Sequence, residues 1–131
     1  MSKEDKELLL KDLCARLPYG VKIELTWWVM DEGTCINTIL EPDHIEQLLK
    51  DEDDDTEIKP FLRPMSSMTE EELREYNYLY AERENNNEFD DIRQYSDLID
   101  WLNFHHFDYR GLIPKGLAIE APDGMYNLKE K

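Results

Sequence analysis

The sequence predicts an α+β fold: a small antiparallel sheet of three to four strands, with helices packed mainly on one face. Three observations lead there. Residues 21–29 alternate with a period of two, a turn signal follows at Asp31-Glu32-Gly33, and residues 34–40 are rich in β-branched side chains. The flanking segments instead carry helical spacing and capping signals. Strands come early and helices mostly late, without the strand–helix–strand rhythm of a parallel sheet. At 131 residues the chain reads as one domain, 1–131, able to bury roughly two-thirds of its unfolded surface.

The first helix is expected over about residues 3–17. Ser2 is a good N-cap, Glu4 and Asp5 lie in the first turn, and Arg16 lies in the last, as the helix dipole prefers. Leu10, Leu13, Cys14 and Leu17 fit one buried face, which makes Cys14 a small core residue. Pro18 and Gly20 stop the helix. From Val21 to Val29 the odd positions are apolar, and Thr34–Leu40 is rich in β-branched residues, so the two form a hairpin. Pro42 fits the first turn of a short helix, about 43–50. Asp51-Glu52-Asp53-Asp54-Asp55 reads as a solvated loop. It lacks the glycine and the spaced acids of a calcium loop.

Residues 57–63 read as a third strand, at an edge or bulged because Pro60 has no N–H to donate. Thr69 and Glu72 form a capping box for a helix over 68–83, with Met68 and Leu73 as a hydrophobic staple and Leu73, Tyr76 and Tyr80 as its stripe. Asn85-Asn86-Asn87 ends that helix. Phe89–Tyr95 reads as a short strand, and Ser96 as the cap of a helix over 97–106. The tail from Phe107 is broken by glycine and proline, yet Leu112, Ile113, Leu117, Ile119 and Met125 predict that it wraps against the core.

The net charge of −16, from 31 acids against 15 bases, disfavours nucleic acid, whose binding needs lysine and arginine to replace phosphate counterions. It also disfavours anionic membrane surfaces. No stretch approaches the length of a membrane span, no export signal is visible, and Cys14 and Cys35 are too few and too far apart for a disulfide framework. The expected compartment is the cytoplasm, with both thiols free and no cofactor. The sequence shows no glycine-rich phosphate loop, CxxC pair or nucleophile elbow, and Ser66 and Ser67 lack a hydrolase setting.

Few residues invite chemistry. His105, His106 and Asp108 could ligate a metal or trade protons, but neighbouring helical residues point about 100° apart, and a helix-end structural role suits the histidines better. Asp108, Tyr109 and Arg110, with Arg63, could hold a ligand or partner acid, or tie the tail to the core as an ion pair. Trp27 and Trp28 face opposite sides of one strand. A second layer would cover Trp28; without one, Trp28 is an exposed aromatic anchor of the kind that makes interface hot spots.

Three segments, LLLKDLCARLPYGVK (8–22), KPFLRPMSSMTEEE (59–72) and DWLNFHHFDYRGLIPKGLAIEAPDGMY (100–126), together resemble a family of small acidic proteins from gut Bacteroidales genomes and their phages or mobile elements. The resemblance implies a bacterial or phage cytoplasm, and it implies no activity. The leading expectation is a non-enzymatic interaction or regulatory module whose partner is another protein, either basic or bound without an electrostatic component. Two alternatives stay open: an acidic nucleic-acid mimic that occupies a basic partner, and a small hydrolase or metal-binding protein built on His105, His106 and Asp108.

Overall fold

The computed structural model describes residues 2–50, 56–84 and 88–126. Helix α1 (Lys3–Arg16) begins as its cap requires, with the Ser2 hydroxyl accepting from the Asp5 N–H at 3.0 Å. Its buried face is Leu9, Asp12, Leu13 and Arg16, rotated from the expected one. Cys14 is exposed, so the expectation of a core thiol is corrected. Leu8-Leu9-Leu10 offers apolar side chains in three directions, and the helix turns the direction that sends Asp12 and Arg16 inward. Burying Leu9 and Leu13 stabilises by about 1.5–3 kcal/mol each.

Strands β1 (Lys22–Val29) and β2 (Glu32–Ile39) form the predicted hairpin. The reversal is tighter and earlier than expected. Met30 and Asp31 alone make the turn, both at positive φ (52° and 70°), as in the two-residue turns that match strand twist. Gly33 therefore lies in β2, opposite Trp28. A Cβ there would stand 2.9 Å from Trp28 Nε1, so the glycine is needed for close approach of the indole rather than for the turn.

Hydrogen-bonding direction alternates along the hairpin. The Leu40 N–H donates to Val21 O at 2.9 Å. By that parity the even residues of β2 bond to β1, and Gly33, Cys35, Asn37 and Ile39 point their backbone groups away from it.

After α2 (Pro42–Lys50), β3 (Thr56–Leu62) pairs antiparallel with β1. The sheet order is β2-β1-β3-β4, where β4 (Ile119–Glu120) runs parallel to β3. The sheet is thus mixed: three antiparallel strands and one short parallel strand contributed by the tail. β3 is interior rather than the expected edge. Pro60 is tolerated because the same parity turns its nitrogen away from β1, and β4 pairs only with Phe61 and Leu62. Ile23, Ile58 and Leu62 meet α1, α2 and the tail residues Leu112 and Leu117 in the main core. The tail docks as expected through residue 126.

Helices α3 (Glu70–Glu84) and α4 (Glu88–Phe104) pack on each other in a second cluster with Met65, Met68 and Phe107. The capping box forms in both directions: Glu72 N–H to Thr69 Oγ1 at 3.1 Å, and Thr69 N–H to Glu72 Oε1 at 2.9 Å. The packed stripe is Tyr76 and Leu79, while Leu73 and Tyr80 are exposed. The expected strand over 89–95 is instead the first half of α4, and Ser96 is internal to it. Phe89 and Ile92 are three apart, a spacing that serves a helix. The acidic run 51–55 and the Asn run 85–87 lie outside the described residues.

Candidate functional site

The chain leaves α4 through a Schellman turn. The Phe107 N–H donates to Leu102 O at 3.0 Å and the His106 N–H to Asn103 O at 3.1 Å. His106 occupies the left-handed position, φ 62°, where glycine is usual. It is held there by stacking on Tyr126, with ring centroids 3.8 Å apart. Residues 106–108 then pair beside Arg63: Arg63 N–H to His106 O and Asp108 N–H to Arg63 O, both 2.8 Å. This short ladder gathers six of the seven sequence candidates, Arg63, His105, His106, Asp108, Tyr109 and Arg110.

Most polar groups of this cluster hold the fold, while His106 Nδ1 is buried with no hydrogen-bond partner among the described residues. Arg63 makes a two-pronged bond with Glu72, each N···O distance 2.7 Å, and its guanidinium lies 4.3 Å from the Phe107 ring centroid. His105 Nδ1 lies 3.3 Å from the same carboxylate. Asp108 accepts from the Leu112 and Ile113 N–H groups at 2.8 and 2.9 Å, folding the tail back on itself. The Tyr109 hydroxyl is 2.8 Å from Asn103 Oδ1.

Beneath them lies a pair that sequence reasoning missed. Asp12 and Arg16, both with fully buried side chains, are joined at 2.7 Å through Arg16 Nε. Arg16 Nη2 donates to Phe107 O at 2.7 Å, and Arg110 Nε lies 3.3 Å from Asp12 Oδ1. The available signal was the spacing itself. Leu9, Asp12, Leu13 and Arg16 share a helical face as well as Leu10, Leu13, Cys14 and Leu17 do, and the opposite charges at i and i+4 permit burial as a pair.

Tyr126 was also missed. Its hydroxyl accepts from the Lys22 N–H at 2.7 Å and donates to Phe61 O at 2.8 Å. Lys22 and Phe61 would face each other one step beyond the last β1–β3 pair, Ile23–Pro60. The phenol thus bridges the step at which the ladder stops. Burial pushes its pKa up to about 12, against the opposing pulls of the Lys22 N–H and the Arg16 charge, so the phenol keeps the proton it donates. A cleft of about 360 Å³ opens beside the tail, lined by Arg63, Thr69, Glu72, Asp123 and Tyr126 among others. Its two most enclosed charges, Arg63 and Glu72, already neutralise each other.

Among the described residues, no group of three or more His, Cys, Asp or Glu is placed to hold a metal ion. Burial alone would raise the Glu72 pKa. The Arg63 hydrogen bonds, the Thr69 N–H and the Arg63 and His105 charges outweigh that and hold it at about 2, down from 4.5. Allowing for solvent screening of a pair near the surface, Glu72→Gln is expected to cost about 2 kcal/mol at neutral pH. The carboxylate's contribution is complete above pH 4.5 and is lost as pH falls through about 2. Urea titrations of the two proteins should therefore converge across that window.

Trp28, the seventh candidate, stands apart at the turn end of β1. It is 43% exposed, beside Met30 at 94%, and β2 adds Ile36 at 45% and Ile39 at 53%. The face that bears Trp28 also carries the Thr26–Cys35 pair, 3.1 Å apart, and Gly33, whose missing side chain leaves room for the indole. No helix among the described residues is long and apolar enough to cross a membrane. No known protein family, curated protein or solved structure matches this chain.

Proposed function

We propose that the chain is a non-enzymatic interaction module that engages a basic partner protein through the outer part of its β1–β2 hairpin. The observation that carries this reading is the exposure of Trp28 and of Met30 beside it at the turn, in a molecule otherwise rich in charge, with Ile39 exposed farther along the Trp28 face and Ile36 on the opposite face. Aromatic anchors surrounded by smaller apolar groups are the usual centres of binding energy. Two facts support a basic partner: the net charge of −16, and four acids against one lysine between Gly20 and Glu41. The engagement of Arg63, Asp108, Tyr109 and Arg110 in the fold supports a binding role over a catalytic one.

A photo-crosslinking residue at position 30, compared with one at position 4, tests the reading in cell extract. A basic protein should be trapped from position 30 only, and Trp28→Ala should abolish the product at unchanged thermal midpoint. Equal labelling from both positions, or a product indifferent to Trp28→Ala, overturns the proposal.

A further inference from the structure

The geometry points to strand addition as the mode of contact: an extended, lysine- or arginine-bearing segment of the partner pairs with the outer edge of β2, which no strand among the described residues occupies. This deepens the interaction reading above and rests on it. Hydrogen-bond parity turns the backbone groups of Gly33, Cys35, Asn37 and Ile39 outward, and none of these residues is proline. An edge of that kind is a template for another chain, so proteins ordinarily blunt it with lysine, proline, a bulge or extreme shortness. β2 has none of these. It runs eight residues in unbroken register with β1, and its only charge is Glu32. The other side of the sheet is protected, by Pro60 on the flank of β3 and by β4 across Phe61 and Leu62.

Two further features fit a strand rather than a flat surface. The Trp28 indole lies over Gly33, so it reaches from β1 across the outer strand and would touch a strand laid alongside. Ile36, Thr34 and Thr38 line one face of β2, and Gly33, Cys35, Asn37 and Ile39 the other, which offers an added strand side-chain contacts on both of its faces. Charge decides between occupants. A second copy would bring −16 against −16, with Glu24, Asp31, Glu32 and Glu41 near the seam, whereas a cationic segment is attracted by the same groups.

The test uses the full chain and three capped synthetic peptides: alternating valine and threonine flanked by two lysines at each end, the same core flanked by glutamates, and the lysine form with a central proline. Binding is read by titration, and backbone protection by amide exchange. The lysine peptide should slow exchange at Gly33, Cys35 and Asn37, and each of the other two should bind at least tenfold more weakly. Asn37→Pro removes one outward donor without touching the β1 ladder, and it should weaken the lysine peptide at least tenfold. Asn37→Lys, which leaves the fold's hydrogen bonds intact, should weaken it too.

Equal binding of the lysine and proline peptides, or no change at the three amides, overturns strand addition. If the peptide then still perturbs Trp28, the hairpin reading survives without it. If the free chain is already dimeric with those amides protected, the occupant is a second copy, and this inference fails.

Discussion

Asp12→Ala is expected to destabilise the fold by about 3–5 kcal/mol, the usual consequence of stranding a buried charge. Arg16 is wholly enclosed and cannot reach water, and Asp12 is the carboxylate it bonds. Arg110, 20% exposed, would lose the same partner but could turn outward. Single domains are stable by only about 5–15 kcal/mol, so this one change would remove a large share. The double variant Asp12→Leu, Arg16→Met should recover much of the loss, because two apolar side chains of similar size need no counter-charge. It would not recover all of it, since Phe107 O loses its donor. Urea unfolding of the wild type, both single variants and the double variant closes the cycle. A loss under 1 kcal/mol for Asp12→Ala would show that solvent reaches the pair.

The second large effect is acid sensitivity through His106. Burial is the first cause of its lowered pKa, and the charges of Arg16 on α1, His105 beside it, Arg63 just after β3 and Lys22 on β1 add to it, bringing it from 6.5 to about 4. Tyr126, the ring stacked on it, stays neutral over this range. The imidazole is therefore neutral in the fold where it would be protonated in the unfolded chain. Below pH 6.5 the unfolded state binds a proton that the folded state refuses, so stability declines until about pH 4, by about 3 kcal/mol from this group. Asparagine accepts the left-handed backbone without a titratable ring. His106→Asn should lose the stacking energy at pH 7 and flatten the slope between pH 7 and 4. An unchanged slope in the variant would assign the acid sensitivity elsewhere. The Glu72 contribution is lost mainly at lower pH, which keeps the two effects distinguishable.

Local signals in the sequence were legible where one residue settles one hydrogen bond. The Ser2 cap, the Thr69–Glu72 box and the period-two run of β1 all appear in place. They failed where several local answers were equally good and packing chose among them. The leucine triplet 8–10 allowed two helix faces, and the chosen one buries an ion pair that hydrophobic periodicity disfavours. Asp31-Glu32-Gly33 looked like a turn through its glycine, but the glycine answers to Trp28 across the strand. Phe89–Tyr95 was too short a window to separate strand from helix without its neighbours. The candidate cluster around Arg63 was named almost completely. Its partners Asp12, Arg16 and Tyr126 were not, because they come from the two ends of the chain and only the fold brings them together.

The phenol that joins Lys22 to Phe61 closes a loop of 104 residues. Contacts so remote in sequence carry a high chain-closure cost and tend to form after local pairing has finished. Interactions that form so late act mainly on the rate at which the molecule comes apart. The endurance of this small sheet against slow opening thus draws on contacts from residues 107–126, this phenol among them, and the hairpin can assemble without it.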